Sequence, residues 1–232
     1  MSFDKKKFHM LEEEIVACNL CPRLVNWRTE IAKKKTKRYR DWNYWGKPVQ
    51  GFGDPEARLF IVGLAPAAHG GNRTGRMFTG DRSGDFLYRT LYKFGFANQP
   101  TSTSMDDGLK LRDCYITASA RCAPPNNLLT KDELINCRPF LLREIQMLKN
   151  VRVIISLGQL AFKTVVGSYA EMNLIKRTAK MVFSHGKEYP LNDNQGLIAS
   201  FHPSQRNTFT GKLTEKMFDG IFRRAIMLIN SQ

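Results

Sequence analysis

Residues 63–76 read GLAPAAHGGNRTGR and follow the apolar run RLFIV (58–62) without a break. An apolar run that ends abruptly in a turn of small residues reads as a strand feeding a tight loop whose backbone approaches a ligand closely. The loop holds two arginines and a histidine but no carboxylate. It is not a phosphate loop, because no Gly-Lys-Ser/Thr closes it. GKL at 211–213 lacks the hydroxyl residue and follows no strand, and G-x-G-x-x-G is absent.

Outward from this loop the chain alternates. Four apolar runs, 58–64, 115–119, 151–157 and 196–201, read as buried strands. Helical patterns lie between and after them: 83–96 with Ser83 as N-cap, 130–150 opening on the capping box T-x-x-E, a short helix at 158–167, and 212–230. Pro139 is expected to kink or interrupt the second of these. The pattern predicts an α/β fold, with a parallel sheet covered by helices on both faces. Neither repeats nor linkers divide it, so residues 1–232 are read as one domain. The polar, basic segment 170–190 is expected to be an excursion from the core.

In such a sheet, ligands bind beyond the C-terminal ends of the strands. The first strand runs into GLAPAAHGGNRTGR and MFTGD (77–81), the second into ARCAPPNN (120–127), and the fourth into HPSQRN (202–207). Three unusual polar segments therefore converge on one edge, and His202 stands at a strand end with Pro203 fixing the turn behind it.

The 232 residues carry 36 Lys+Arg against 21 Asp+Glu, a formal charge of +15. That excess points to a polyanion such as nucleic acid, since neutralising phosphates releases counterions. A solvated basic surface, or lysine content favouring heat stability, is the alternative. The run WRTEIAKKKTKRYRDWNYWGKP (27–48) interleaves basic residues with Trp42, Tyr44 and Trp45, some of which would pin the loop to the core. No run reaches the ~18 apolar residues of a membrane span. MSFDKKKFHM lacks an apolar signal core, so an intracellular, cytoplasmic protein with no membrane partner is expected. Of five cysteines, Cys18 and Cys21 form C-x2-C, Cys122 and Cys137 form C-x14-C, and Cys114 falls in a strand-like run as a core residue. Four thiolates suit tetrahedral Zn or a [4Fe–4S] cluster, and spacing alone accommodates either. A site made by the C-x2-C pair alone is also compatible.

Taken together, GLAPAAHGGNRTGR with MFTGD, then RCAPPNN, then HPSQRNTFTG resemble the family 5 uracil-DNA glycosylases over about residues 18–211. The resemblance implies a three-layer α/β/α sandwich around a four-stranded parallel sheet. It implies a monofunctional glycosylase that removes uracil, and other deaminated bases such as hypoxanthine, from double- and single-stranded DNA in base excision repair. Cys18, Cys21, Cys122 and Cys137 would ligate a structural [4Fe–4S] cluster that tethers the N-terminal segment. Phe78 would stack on the flipped base, His202 would contact its carbonyl oxygen, and Asp81 and Asn127 would lie near the sugar and the attacking water.

Gly63, Ala65, Ala67, Ala68, His69, Ala118 and Asn207 complete the expected base and sugar pocket. Arg73, Arg76, Ser204, Arg206 and Phe209 form the expected DNA-contacting set, with Arg206 or Phe209 as wedge. The related family 4 enzymes carry an asparagine where YITASARC places Ala118, and a glutamate in the first loop; both differences fit family 5. A pocket without that amide rejects other bases poorly.

The chemistry suits these residues. The base departs as an anion while the sugar becomes oxocarbenium-like, so donors aimed at the base and a carboxylate near the sugar matter more than an acid in the loop. Asp81 has a competing reading as a turn or helix cap, and Asn127 as a turn residue after Pro124-Pro125. A non-catalytic DNA-binding module explains the charge and cysteines but not three convergent loops. An enzyme acting on free nucleosides explains the fold but not the charge. A monomer is expected.

Overall fold

The computed structural model describes residues 4–175 and 181–231. Its centre is a six-stranded sheet ordered β1-β3-β2-β4-β6-β5. β2 (Leu59–Gly63), β3 (Cys114–Ala118), β4 (Val153–Leu157) and β6 (Gln195–Ser200) are the four parallel strands expected from the sequence. Two antiparallel edge strands extend them, β1 (Phe52–Gly53) beside β3 and β5 (Glu188–Asn192) beside β6. β1 is too short and β5 too polar to show as an apolar run. β5 also corrects the reading of 170–190 as a mere excursion; positions 176–180 of that segment lie outside the described residues.

Side-chain alternation along the strands builds two cores. Leu59, Ile61, Ile116, Val153 and Ile198 face α4 (Arg82–Lys93) and α8 (Glu215–Asn230). Phe60, Val62, Tyr115, Ile154 and Leu197 face α1 (Lys5–Ala17), α5 (Lys131–Met147) and α6 (Gln159–Glu171). Cys114 is fully buried in the first of these cores, as expected.

The capping box at the start of α5 is present, with Thr130 and Glu133 bonding reciprocally. Pro139 does not interrupt α5. The carbonyl it leaves without an intrahelical donor belongs to Ile135, which stands on the exposed face of the helix. The N-cap of α4 is Asp81 rather than Ser83: its Oδ1 accepts the Gly84 N–H at 2.9 Å. Four helices escaped the strand–helix pattern, namely α1, α2 (Pro22–Lys34), α3 (Gly71–Thr74) and α7 (Gln205–Phe209).

Candidate active site

The loops leaving β2, β3 and β6 meet at the C-terminal ends of the strands, where Gly63 and Ala118 pair across β2 and β3. Gly63 is required by what lies on it. A Cβ there would stand 2.8 Å from the Phe78 ring. Phe78 itself holds a left-handed backbone (φ 53°), a conformation an aromatic residue adopts only under constraint. Gly84 accommodates the turn, since a Cβ there would fall 1.6 Å from the Phe78 carbonyl oxygen. The Phe78 ring is stacked with His202, centroids 5.9 Å apart at 29°.

His202 follows β6. Its Cβ lies 3.4 Å from where a Gly158 Cβ would be, and its carbonyl accepts the Asn207 Nδ2–H at 2.8 Å. Neither of its ring nitrogens has a hydrogen-bond partner among the described residues. Burial pushes the imidazole down to about 4, so it is neutral at physiological pH. Asn207 thus positions His202 through the backbone. Ser204 caps α7 by accepting the Asn207 N–H at 3.4 Å. Arg206 is exposed, and Phe209 is 73% exposed with Arg82 over its ring.

Asp81 performs the capping role, but only with one oxygen. Its Oδ2 faces the first loop at Gly70, where a Cβ would come within 2.2 Å. Burial raises this carboxyl above the ordinary Asp value, partly opposed by the Gly84 and Ser83 amides. His69, on the same loop, shares a 3.0 Å hydrogen bond through Nδ1 with the Tyr44 hydroxyl. Burial and then Arg73 lower its pKa. Ala65, Ala67 and Ala68 line the half-buried loop without polar side chains.

Asn127 is not joined to this group. It is exposed, with φ 57°, and its side chain makes no hydrogen bond to the described residues; Asn126 beside it is also left-handed. Arg73 and Arg76, expected to meet DNA, are internal instead, each 3% exposed. Arg73 donates to the His69 and Gly80 carbonyls, and its guanidinium lies 4.0 Å from both the Tyr39 and Trp42 ring centroids. Arg76 pairs with Asp107 at 2.8 Å and donates to Ser102. Both are spent on holding loops, so neither reaches a phosphate. The Arg73 clamp fixes the segment around the 3₁₀ turn Lys37–Tyr39, which leaves Lys33, Lys34, Lys37, Arg38 and Arg40 exposed nearby in the chain. Tyr44 pins the loop inward, while Trp42 remains at the surface.

On the cysteine side, Cys18, Cys21, Cys122 and Cys137 line one cavity with Leu20, Leu24, Pro48 and Arg121. Polar hydrogens point at the sulfurs. Arg28 Nη1 donates to Cys122 Sγ at 3.1 Å, the Arg121 amide to Cys137 Sγ at 3.3 Å, and Asn136 Nδ2 to Cys21 Sγ at 3.5 Å. Among the described residues no three metal-ligating side chains stand close enough to hold a single ion. Burial pushes the Cys122 thiol up to about 12, with Arg28 pulling against it.

Sequence reasoning did not single out Arg28, Asn72 or Gly158. Asn72 Nδ2 donates to the Arg28 carbonyl at 3.1 Å, linking the cysteine side to the first loop. Arg28 lies seven residues, about two turns, along α2 from its N-cap Cys21 and so on the same face, the one signal that could have marked it.

Residues 50–225 match the model of the uracil DNA glycosylase superfamily. The chain belongs to this superfamily. A type-5 uracil-DNA glycosylase of Mycobacterium leprae is 47% identical over 216 residues, 93% of each chain. One from Thermus thermophilus is 46% identical over 206 residues, 89% of this chain and 91% of its own. A type-4 uracil-DNA glycosylase of Pyrobaculum aerophilum is 32% identical over 171 residues, 69% of this chain and 74% of its own. The similarity to type-5 members thus spans nearly the whole superfamily domain, and the chain is an enzyme of that type. No helix among the described residues is long and apolar enough to cross a membrane.

Proposed function

We propose that this protein flips uracil out of DNA and hydrolyses its N-glycosidic bond, leaving an abasic site. The observation that carries the reading is His202: neutral, unpartnered and stacked beside Phe78 at the strand end where ligands bind in such sheets. An imidazole without a protein partner is completed by an acceptor on the substrate. Donation to the departing base's oxygen stabilises the negative charge that develops there, a contribution of several kcal/mol when the donor is fixed in advance. The Asn207 and Gly158 contacts fix it.

Phe78 supplies the face on which an extruded base stacks. Asp81 supplies the one carboxylate at the loop, and its uncapped Oδ2 would face the sugar as positive charge develops or orient water. Asn127, on its exposed turn, would reach that water only with DNA bound. Extrusion costs a few kcal/mol, and exposed Phe209 on the loop after His202 suits a wedge that fills the gap. The exposed lysines and arginines beside the Arg73 clamp would take phosphates. Gly63 and Ala118, facing each other without an amide, support acceptance of other deaminated bases, hypoxanthine among them.

The four cysteines would hold a [4Fe–4S] cluster. A single zinc draws four thiolates to about 2.3 Å from one point, a convergence the side chains here do not make, whereas a cluster spaces its ligands more widely. Arg28, Asn136 and the Arg121 amide would stabilise thiolate charge. Bound there, the group supplies a rigid tether for the N-terminal segment rather than redox chemistry.

The test is incubation of the protein with a duplex carrying one uracil opposite guanine, followed by alkali. Strand cleavage at uracil only after alkali is expected. Intact strands with the duplex bound would overturn the reading in favour of a DNA-binding module.

A further inference from the structure

The first loop contains a histidine with an obvious candidate role, that of general base activating water. The hydrogen bonding around it argues otherwise. Tyr44 is buried, its hydroxyl lies 3.0 Å from His69 Nδ1, and the two rings meet edge to face. Among the described residues His69 Nδ1 is the hydrogen-bond partner of the Tyr44 hydroxyl; a phenol donates well and accepts poorly, whereas a bare imidazole nitrogen accepts well. The phenolic hydrogen therefore goes to His69, and Nδ1 accepts it. An imidazole accepting at Nδ1 carries its own proton at Nε2.

A second feature keeps the ring from taking a further proton. Arg73 sits against the same loop, donating to the His69 carbonyl at 2.8 Å. Its guanidinium has no ion-pair partner among the described residues, and its Nη1 has no hydrogen-bond partner there. On the ring itself two influences act, burial first and then the Arg73 charge, and both disfavour a further proton.

We propose that Tyr44 is a positioning residue that locks His69 as an Nε2–H donor to an oxygen of the bound DNA. His69 then works with His202 as a second neutral donor, and water is left to Asp81. This rests on the glycosylase reading for its substrate, but the tautomer itself does not.

The experiment has two arms. Long-range proton–nitrogen spectra of protein labelled with 15N-histidine, without DNA, should show His69 protonated at Nε2 and bare at Nδ1. In Tyr44→Phe the same signal should become a mixture of tautomers. The second arm is single-turnover uracil excision. The amide nitrogen of His69→Gln takes the place of Nε2, and that of His69→Asn the place of Nδ1. The Asn variant should fall about tenfold, the effect of one lost hydrogen bond, and the Gln variant should lose several-fold less than the Asn variant. An Nδ1–H tautomer in wild type, an unchanged tautomer in Tyr44→Phe, or retention by Asn with loss in Gln would each overturn the proposal. Should Tyr44→Phe fail to fold, the wild-type spectrum and the Gln/Asn pair still decide it. If wild type excises no uracil, the glycosylase reading fails while the spectrum still reads the tautomer.

Discussion

At the N-terminal ends of the strands, Arg58 gives Asp113 two side-chain hydrogen bonds, at 2.6 and 2.9 Å, and a backbone one at 2.7 Å; the Asp113 amide in turn bonds Asp54. At the C-terminal ends, His202 has a bare ring and Asp81 turns one oxygen toward the first loop, away from the amide it caps. Buried polar groups are ordinarily satisfied. The end that closes its own hydrogen bonds holds the strands in register. The end that leaves them open is where the proposed site lies, and open polar groups there cost stability.

Breaking the open end should have the largest effects. His202→Ala should lower the single-turnover excision rate about 10²–10³-fold with duplex affinity unchanged, measured by quenched-flow and by binding to an uncleavable analogue. Loss of affinity with an intact rate would assign His202 to binding alone. Gly63→Ala would drive a Cβ into the Phe78 ring. It should reduce the rate about tenfold and weaken discrimination between flipped bases, read from competition between uracil and hypoxanthine substrates.

Asp81→Asn sharpens the comparison, because its two effects point in opposite directions. The rate should fall about tenfold or more. Stability should hold or rise, because Asn caps a helix as well as Asp and the variant removes a buried charge. Burial raises the folded-state pKa of Asp81, so its ionised form costs stability above the ordinary value of 3.8, and that cost disappears as pH falls below it. The variant's advantage in chemical denaturation should therefore be present at pH 7 and absent at pH 3. A large loss of stability at pH 7 would reduce Asp81 to a cap.

On the cysteine side, wild type purified without oxygen should carry about four iron per chain with visible absorbance, and Cys122→Ser should lose both. Stoichiometric zinc would contradict the cluster. The smallest effect belongs to the closed end. Arg58→Ala should cost about 1 kcal/mol or less, since both partners reach solvent, and leave the excision rate alone.

Much of this was legible in the chain. The four parallel strands show as apolar runs because both faces of each are buried. His202, Gly63 and Ala118 lie at or just after strand ends, and Phe78, fifteen residues beyond β2, returns onto Gly63 at the end of the same loop. What escaped depends on distant partners. Nothing local distinguishes Arg73 and Arg76 from arginines that meet phosphate; Tyr39, Trp42 and Asp107, far along the chain, turn them inward. Tyr44 was visible as an aromatic in a basic run, but its pairing with His69 spans 25 residues and has no periodic signature. β5 is polar because its side chains are largely at the sheet's edge.

The most direct test of the open end is the pH dependence of wild-type single-turnover excision. His202 lies at about 4 rather than at the ordinary 6.5, so it stays neutral across the mildly acidic range. The account predicts a rate that is level around pH 6.5, with any acidic limb at lower pH, where Asp81 protonates and His202 charges, and with no limb near 6.5 assignable to His202. An acidic limb centred near 6.5 that vanishes in His202→Gln would show the ring charging in solution's usual range, and would contradict a buried neutral donor at the centre of the site.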